Sequence, residues 1–331
     1  MAKLYGAAKP RRMSLPAYPF AKEKYWWNDT LEDGKLTLNQ LIDKRLAAMV
    51  IHPLLHVNTS NLGQQSYSTT FTGEELFLKE YPATGQKTLP PAAYIEMANA
   101  AVKHALPVKP EPFMVEFQDT IFGQPVLING ATEVNIILFA RDNEHIDFEI
   151  YSKQAGEETV HCQGHAHIYQ QPAPNKLDLA YIKNKPGKHQ LLFEIEIPGI
   201  VGHHLNGYSV HPVLLDNAFQ AATNIFTSSN ASVLFPSALE IARIVAACKE
   251  NMIAWVRHSS ITKTEDKETK LDIDLCDEQG NICVQLAGVS YFQAPSVLLE
   301  NQMEWWRLLQ LLCPGKYPLI PDHIRQMKIL T

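Results

Sequence analysis

The sequence predicts an α+β fold in which one unit, several antiparallel strands around a buried helix, occurs twice. Two nearly uncharged helical runs, 92–105 and 212–226, each begin at proline, which fits the first turn of a helix because the missing N–H has no partner there anyway. Each run is followed by short strand-like runs separated by turn formers. A length of 331 residues accommodates two such units.

Taken in order, Tyr67, Thr69 and Phe71 alternate with polar neighbours within 66–78, as in a half-buried strand. Pro90 and Pro91 open the first helical run, where Ala92, Ala93, Ala98, Ala100 and Ala101 leave a small, apolar surface on every side. Such a helix is expected to be enclosed by other structure. Strands are predicted over 113–121, 125–128, 133–140, 145–152 and 158–169. The second helix carries Leu214, Leu215, Ala218, Phe219, Ala222 and Ile225 at helical spacing. Strands over 234–238, 252–259, 268–276 and 282–292 follow, with Glu278-Gln279-Gly280 as a hairpin turn.

Composition narrows the function. With 29 basic and 35 acidic residues, the net charge of -6 offers no positive field for a nucleic-acid backbone. Charges interrupt the apolar runs too often for a membrane span, and the basic residues of 1–12 are not followed by a signal-peptide core, so a cytoplasmic protein is expected. Cys162, Cys248, Cys276, Cys283 and Cys313 form no CxxC pair and read as reduced thiols. His161, His165 and His167 fall on one face by strand alternation. Without a Cys or carboxylate to complete the set they are read as solvated histidines, and no metal site is expected.

Three stretches then resemble polyketide synthase dehydratase domains of trans-acyltransferase assembly lines. Residues 15–27, ending in Tyr25-Trp26-Trp27, are similar to the "LPTYPFxRERYW" end of the linker after a ketosynthase. Residues 52–60, continuing through 71–78, are similar to the first strands of such domains. Residues 208–220 are similar to the family's "HPxLLDxxxQ". The resemblance implies a double hotdog, two curled sheets each wrapping a helix. It divides the chain into a linker over 1–50, a first hotdog over 51–175, a second over 176–294 and an extension over 295–331.

The resemblance also implies a catalytic pair. In the family a histidine of HxxxGxxxxP removes the α proton of a 3-hydroxyacyl thioester, and an aspartate heading the second helix protonates the departing hydroxyl. Asp216 matches that acid, and Gln220 lies one turn further on. The first motif falls on residues 81–90: Gly85 and Pro90 match, whereas Tyr81 stands at the histidine position. Residues 90–98 fix the register, because they match the family's "PGxAYLEMA". A tyrosine ionises about 3.5 pK units above a histidine, so a ready phenolate costs about 5 kcal/mol more near neutrality. The family's "YGP" tunnel segment is also absent, the chain passing from 177–179 through Lys183, Lys185 and Lys188 to 193–198.

These substitutions imply a dehydratase-like domain that no longer performs ordinary dehydration and instead binds a carrier-tethered acyl chain or holds its module together. One alternative is a branching domain assisting Michael-type addition to an enoyl chain with the adjacent ketosynthase. Another is an active dehydratase using Asp216 with Tyr81 or His211. His211 and Pro212 are placed with Gly85, Pro90 and Gln220 in the expected pocket; His203 and His204 are further candidate bases. No cofactor is expected, since the substrate rides on the phosphopantetheine arm of an acyl carrier protein. That carrier and a ketosynthase of the same polypeptide are the expected partners, with a second copy of the chain as an open possibility.

Overall fold

The computed structural model describes residues 50–80, 87–106, 114–141, 145–154, 156–169, 176–184, 190–197, 207–226, 234–260 and 270–293. Among them an 11-stranded sheet runs β1 (Val57–Asn58), β2 (Gln65–Phe71), β7 (Thr132–Ala140), β8 (His145–Gln154), β9 (Glu157–Tyr169), β5 (Met114–Phe122), β11 (Leu234–Ile244), β14 (Ile282–Gln293), β13 (Lys270–Cys276), β12 (Asn251–His258) and β10 (Gln190–Glu196). A second, 3-stranded sheet joins β3 (Lys79–Glu80), β4 (Lys87–Thr88) and β6 (Leu127–Ile128). All recorded pairings are antiparallel.

Helix α1 (Pro91–Ala105) begins at the proline pair, and every residue from Ala92 to Val102 is buried. Its alanines let the strands approach closely, as the sequence implies. After the short α2 (Leu179–Asn184), α3 (Pro212–Ala222) forms the second buried helix and tightens into a 3₁₀ turn over Thr223–Ile225, so the regular helix ends sooner than its apolar spacing suggests. The two halves share one core rather than two, since residues of both belong to a single contiguous apolar cluster. They are also joined edge to edge: β5 pairs with β11 from Ile121↔Ala238 to Val115↔Ile244.

Three features depart from sequence periodicity. Strand β11 runs on to Ile244, because Glu240 and Arg243, which blur its alternation, have charged partners. Lys270 Nζ lies 2.5 Å from Glu240 Oε1, and Arg243 Nε 2.6 Å from Glu116 Oε2. Strand β10 has no counterpart among the expected strands. The run Leu191-Leu192-Phe193 breaks alternation, and pairing with β12, from Gln190↔Arg257 to Glu196↔Asn251, overrides it.

The third departure is His161. The register of β8 with β9 shifts so that Ile150 faces Cys162 and Tyr151 faces Val160, leaving His161 as the extra residue of a bulge. His161 is 3% exposed, its Nε2 lies 2.8 Å from Ser152 Oγ and its Nδ1 2.6 Å from the Gln124 carbonyl oxygen. The expectation of three solvated histidines on one face is therefore corrected. His165 meets Asp147 at 2.7 Å and His167 packs on His145, while His161 is interior. Among the described residues no group of His, Cys, Asp or Glu has a metal-holding arrangement.

Burial holds the His161 imidazole down to about 4, against a smaller upward pull from its bond to the Gln124 carbonyl. As pH falls below the ordinary value of about 6.5, the unfolded chain takes a proton that the folded chain refuses, so acid favours unfolding. Between about pH 6.5 and about pH 4 this group is expected to remove about 3 kcal/mol of stability. Urea unfolding across that range should show a shallower pH slope in His161→Asn than in the wild type. Equal slopes would exclude this contribution.

Candidate active site

A cavity of about 790 Å³ opens where the start of α1, the end of β5, edge strand β10 and helix α3 meet. Leu89 and Pro90, just before α1, and Tyr94 within it line one side, Phe122 at the end of β5 and Gly123 just after it another, and Phe193 to Glu196 line it from β10. Asp216, Asn217, Phe219 and Gln220 contribute the α3 wall, while Leu234, Phe235 and Phe292 close it from β11 and β14. Its size lies within the range of small-molecule sites, and its mixture of aromatic walls with a few polar groups suits an extended apolar chain carrying one reactive end.

The backbone of β5 is shaped to reach this wall. Asp119 has φ 47°, a left-handed conformation that aspartate tolerates better than most residues, and the pairing of β5 with β9 shifts between Gln118 and Ile121. Beyond that bulge Phe122 and Gly123 face the cavity. Gly123 donates its N–H to the His161 carbonyl at 2.8 Å, and a Cβ on it would sit 2.9 Å from the Val160 carbonyl oxygen, so the close strand approach requires glycine.

Asp216 is 7% exposed in the second turn of α3. Gln220 Nε2 donates to Asp216 Oδ2 at 3.2 Å, the i to i+4 contact that its spacing implies. Tyr291, on β14, donates its hydroxyl to the Phe219 carbonyl at 3.0 Å. Burial, and secondarily the Asp216 charge, holds that phenol well above its usual range, so it remains a neutral donor anchoring the helix that bears Asp216.

The entry to α3 is set from α1. Glu96 is 0% exposed; its Oε1 accepts the Ser209 N–H at 2.6 Å and its Oε2 the Val210 N–H at 3.1 Å. Asn99 Nδ2 donates to Glu96 Oε2 at 3.2 Å, and His52 Nε2 lies 3.3 Å from Oε1. Lys103 Nζ reaches Ser209 Oγ at 2.9 Å. A carboxylate in the apolar middle of the helix was the available sign of this role, although its backbone partners are far off in the chain.

Pro90, Asp216 and Gln220 thus lie together on the cavity wall. His211 and Pro212 are not among its lining residues. His211 is buried at the N-cap of α3, its Nδ1 accepting the Val213 N–H at 3.2 Å and its ring packed edge-on against Tyr208, while Pro212 supplies the first helical residue. The geometry gives that His-Pro pair a helix-capping task. Tyr81, Gly85, His203 and His204 lie outside the described residues.

Comparison with known proteins places these features in context. A family model described as "Polyketide synthase dehydratase domain" matches residues 52–153, and one described as "Polyketide synthase dehydratase N-terminal domain" matches 184–299. The chain is 35% identical to Polyketide synthase PksM of Bacillus subtilis (strain 168), over 91% of this chain and 8% of PksM. Polyketide synthase PksN of the same organism is 32% identical over 87% of this chain and 6% of PksN. The chain therefore spans a small fraction of the length of these curated relatives. Among solved structures, a trans-AT PKS dehydratase domain from Brevibacillus brevis superposes with a TM-score of 0.67 at 32% identity, covering 74% of this chain and 99% of that domain.

Proposed function

The chain belongs to the double-hotdog dehydratase domains of polyketide synthases, and from that premise we propose that it receives a carrier-tethered acyl chain without dehydrating it in the ordinary way. The observation that carries this reading is the motif register that puts Tyr81 at the position of the family's base, while Asp216 and Gln220 stay paired beside a cavity of about 790 Å³. Elimination needs a base for the C2 proton and an acid for the departing hydroxyl. One of these is retained and the other is replaced by a group roughly 3.5 pK units too weakly acidic to be a ready phenolate near neutrality.

In this reading the aromatic wall formed by Phe122, Phe219, Phe235 and Phe292 takes the apolar chain. The polar groups of α3 sit at the thioester end. The substrate arrives on a phosphopantetheine arm, so an acyl carrier protein is the partner, with a ketosynthase of the same polypeptide beside it. Residues 1–50 form the linker from that ketosynthase, 51–175 and 176–294 the two hotdogs, and 295–331 an extension. Among the described residues no helix is long and apolar enough to cross a membrane.

A 3-hydroxyacyl carrier protein incubated with this chain is expected to give a pantetheine ejection ion of unchanged mass, and loss of water would overturn the proposal. Tyr81→His tests its cause: regained dehydration, with the wild type inert, identifies the tyrosine as what disables the site. If the chain instead proves necessary for an adduct formed by the ketosynthase from malonyl carrier protein and an enoyl thioester, branching replaces this reading.

A further inference from the structure

The cavity wall changes chemistry toward its mouth. Along α3 and the 3₁₀ turn that follows, exposure rises from Asp216, 7% exposed, to Gln220 and Asn224, both exposed. Glu194 and Glu196 of β10 are the other exposed residues of the wall among those described. Gln220 Nε2 is spent on Asp216 Oδ2 at 3.2 Å, and Asn224 Nδ2 on the Ala221 carbonyl oxygen at 3.0 Å. Each side chain therefore keeps its carbonyl oxygen for a ligand, and the two glutamates add carboxylate oxygens. Lys183 Nζ stands 3.8 Å from Glu194 Oε1 but is not on the wall. A rim of this kind accepts hydrogen bonds and disfavours anions.

We propose that Gln220 and Asn224 form a pantetheine subsite at the cavity mouth, each accepting a hydrogen bond from one of the two amide N–H groups of the arm. This rests on the reading of the cavity as the receptor of a carrier-tethered chain. The two amide nitrogens of pantetheine are four bonds apart, about 5 Å when extended. Residues four apart on a helix rise about 6 Å, so both N–H groups can be met at once. Asp216 lies a further four residues down α3, again about 6 Å. With the inner N–H on Gln220, the thioester carbonyl, roughly 5 Å beyond that nitrogen, comes beside Asp216. The acyl chain then continues toward Phe122 and Phe219, which are buried.

The same rim gives a selection rule. Pantetheine offers neutral donors at this depth and leaves its phosphate outside, whereas a free acid brings a carboxylate up to Glu194 and Glu196. The subsite therefore admits amide-bearing thioesters and turns away the hydrolysed acid.

The test is calorimetric binding of three probes to the whole chain: hexanoyl pantetheine, with both amides, hexanoyl N-acetylcysteamine, with the inner amide alone, and hexanoate. Wild type is expected to bind them in that order of strength. Asn224→Leu should bind hexanoyl pantetheine about fivefold more weakly, the worth of one neutral hydrogen bond, and hexanoyl N-acetylcysteamine unchanged, which also reports that the variant is folded. Gln220→Leu should weaken both thioesters. Equal wild-type affinity for the two thioesters, hexanoate binding as tightly as either, or an Asn224→Leu variant that changes both affinities or neither would overturn the subsite and leave the proposed function standing. Wild type that binds neither thioester overturns both. The hexanoyl probes carry no 3-hydroxyl group, so a dehydration activity that sinks the proposed function leaves these affinities unaffected.

Discussion

Glu96→Ala is expected to lower stability by about 3–5 kcal/mol, measured as the shift of the urea unfolding midpoint. Removing the carboxylate, itself 0% exposed, leaves the Ser209 and Val210 N–H groups and the Asn99 amide without their acceptor. Each stranded donor retains its desolvation cost, which is why the loss exceeds that of an ordinary hydrogen bond. Glu96→Gln should lose less, because its one carbonyl oxygen still accepts from one of the two backbone donors while its amide opposes the other. A loss below about 1 kcal/mol in the alanine variant would mean that the α1 to α3 connection is held chiefly by packing.

Phe219→Ala comes next in size, with about 3–5 kcal/mol expected for emptying a buried aromatic site. The ring is 2% exposed and meets Phe122 edge to face, with centroids 6.5 Å apart and planes at 72°. Unlike most core truncations, this one opens into an existing space, since Phe219 and Phe122 both line the cavity. Solvent or ligand can occupy the vacated volume, so Phe219→Leu should recover most of the stability and a bulky apolar thioester should bind the alanine variant more tightly. Unchanged affinity across the series would remove Phe219 from the wall that contacts the acyl chain.

The helices were the most legible part of this fold because proline leaves an unambiguous mark. With φ fixed and no N–H, Pro91 and Pro212 suit a first helical residue and little else. Asp216 and Gln220 were equally readable, since a separation of four residues on a helix becomes a contact without any knowledge of the rest of the chain. Tertiary pairings were not. Glu96 bonds to a backbone N–H 113 residues away, and no local pattern encodes that partner.

The histidines show the same division. Alternation assigned His161, His165 and His167 to one face, but one extra residue in β9 turned the first inward against Ser152 and Gln124. Bulges depend on how the neighbouring strand fits, so a single strand's sequence does not announce them. His211 was legible as part of a motif, but its place at the helix cap was not. Its neighbour Pro212 and its bond to Val213 N–H give it a capping task.

The β5 to β11 seam bears on how the molecule must be made. A nascent chain completes β5 at Phe122 while the strand that will cover its open side does not begin until Leu234. During synthesis the first half therefore presents a bare hydrogen-bonding edge rich in Met114, Val115, Phe117, Ile121 and Phe122, in which Glu116 and Asp119 are the only charged residues. Cutting such a protein between its halves should yield an N-terminal fragment that self-associates through that edge, and co-expression of the C-terminal half should rescue it by supplying β11.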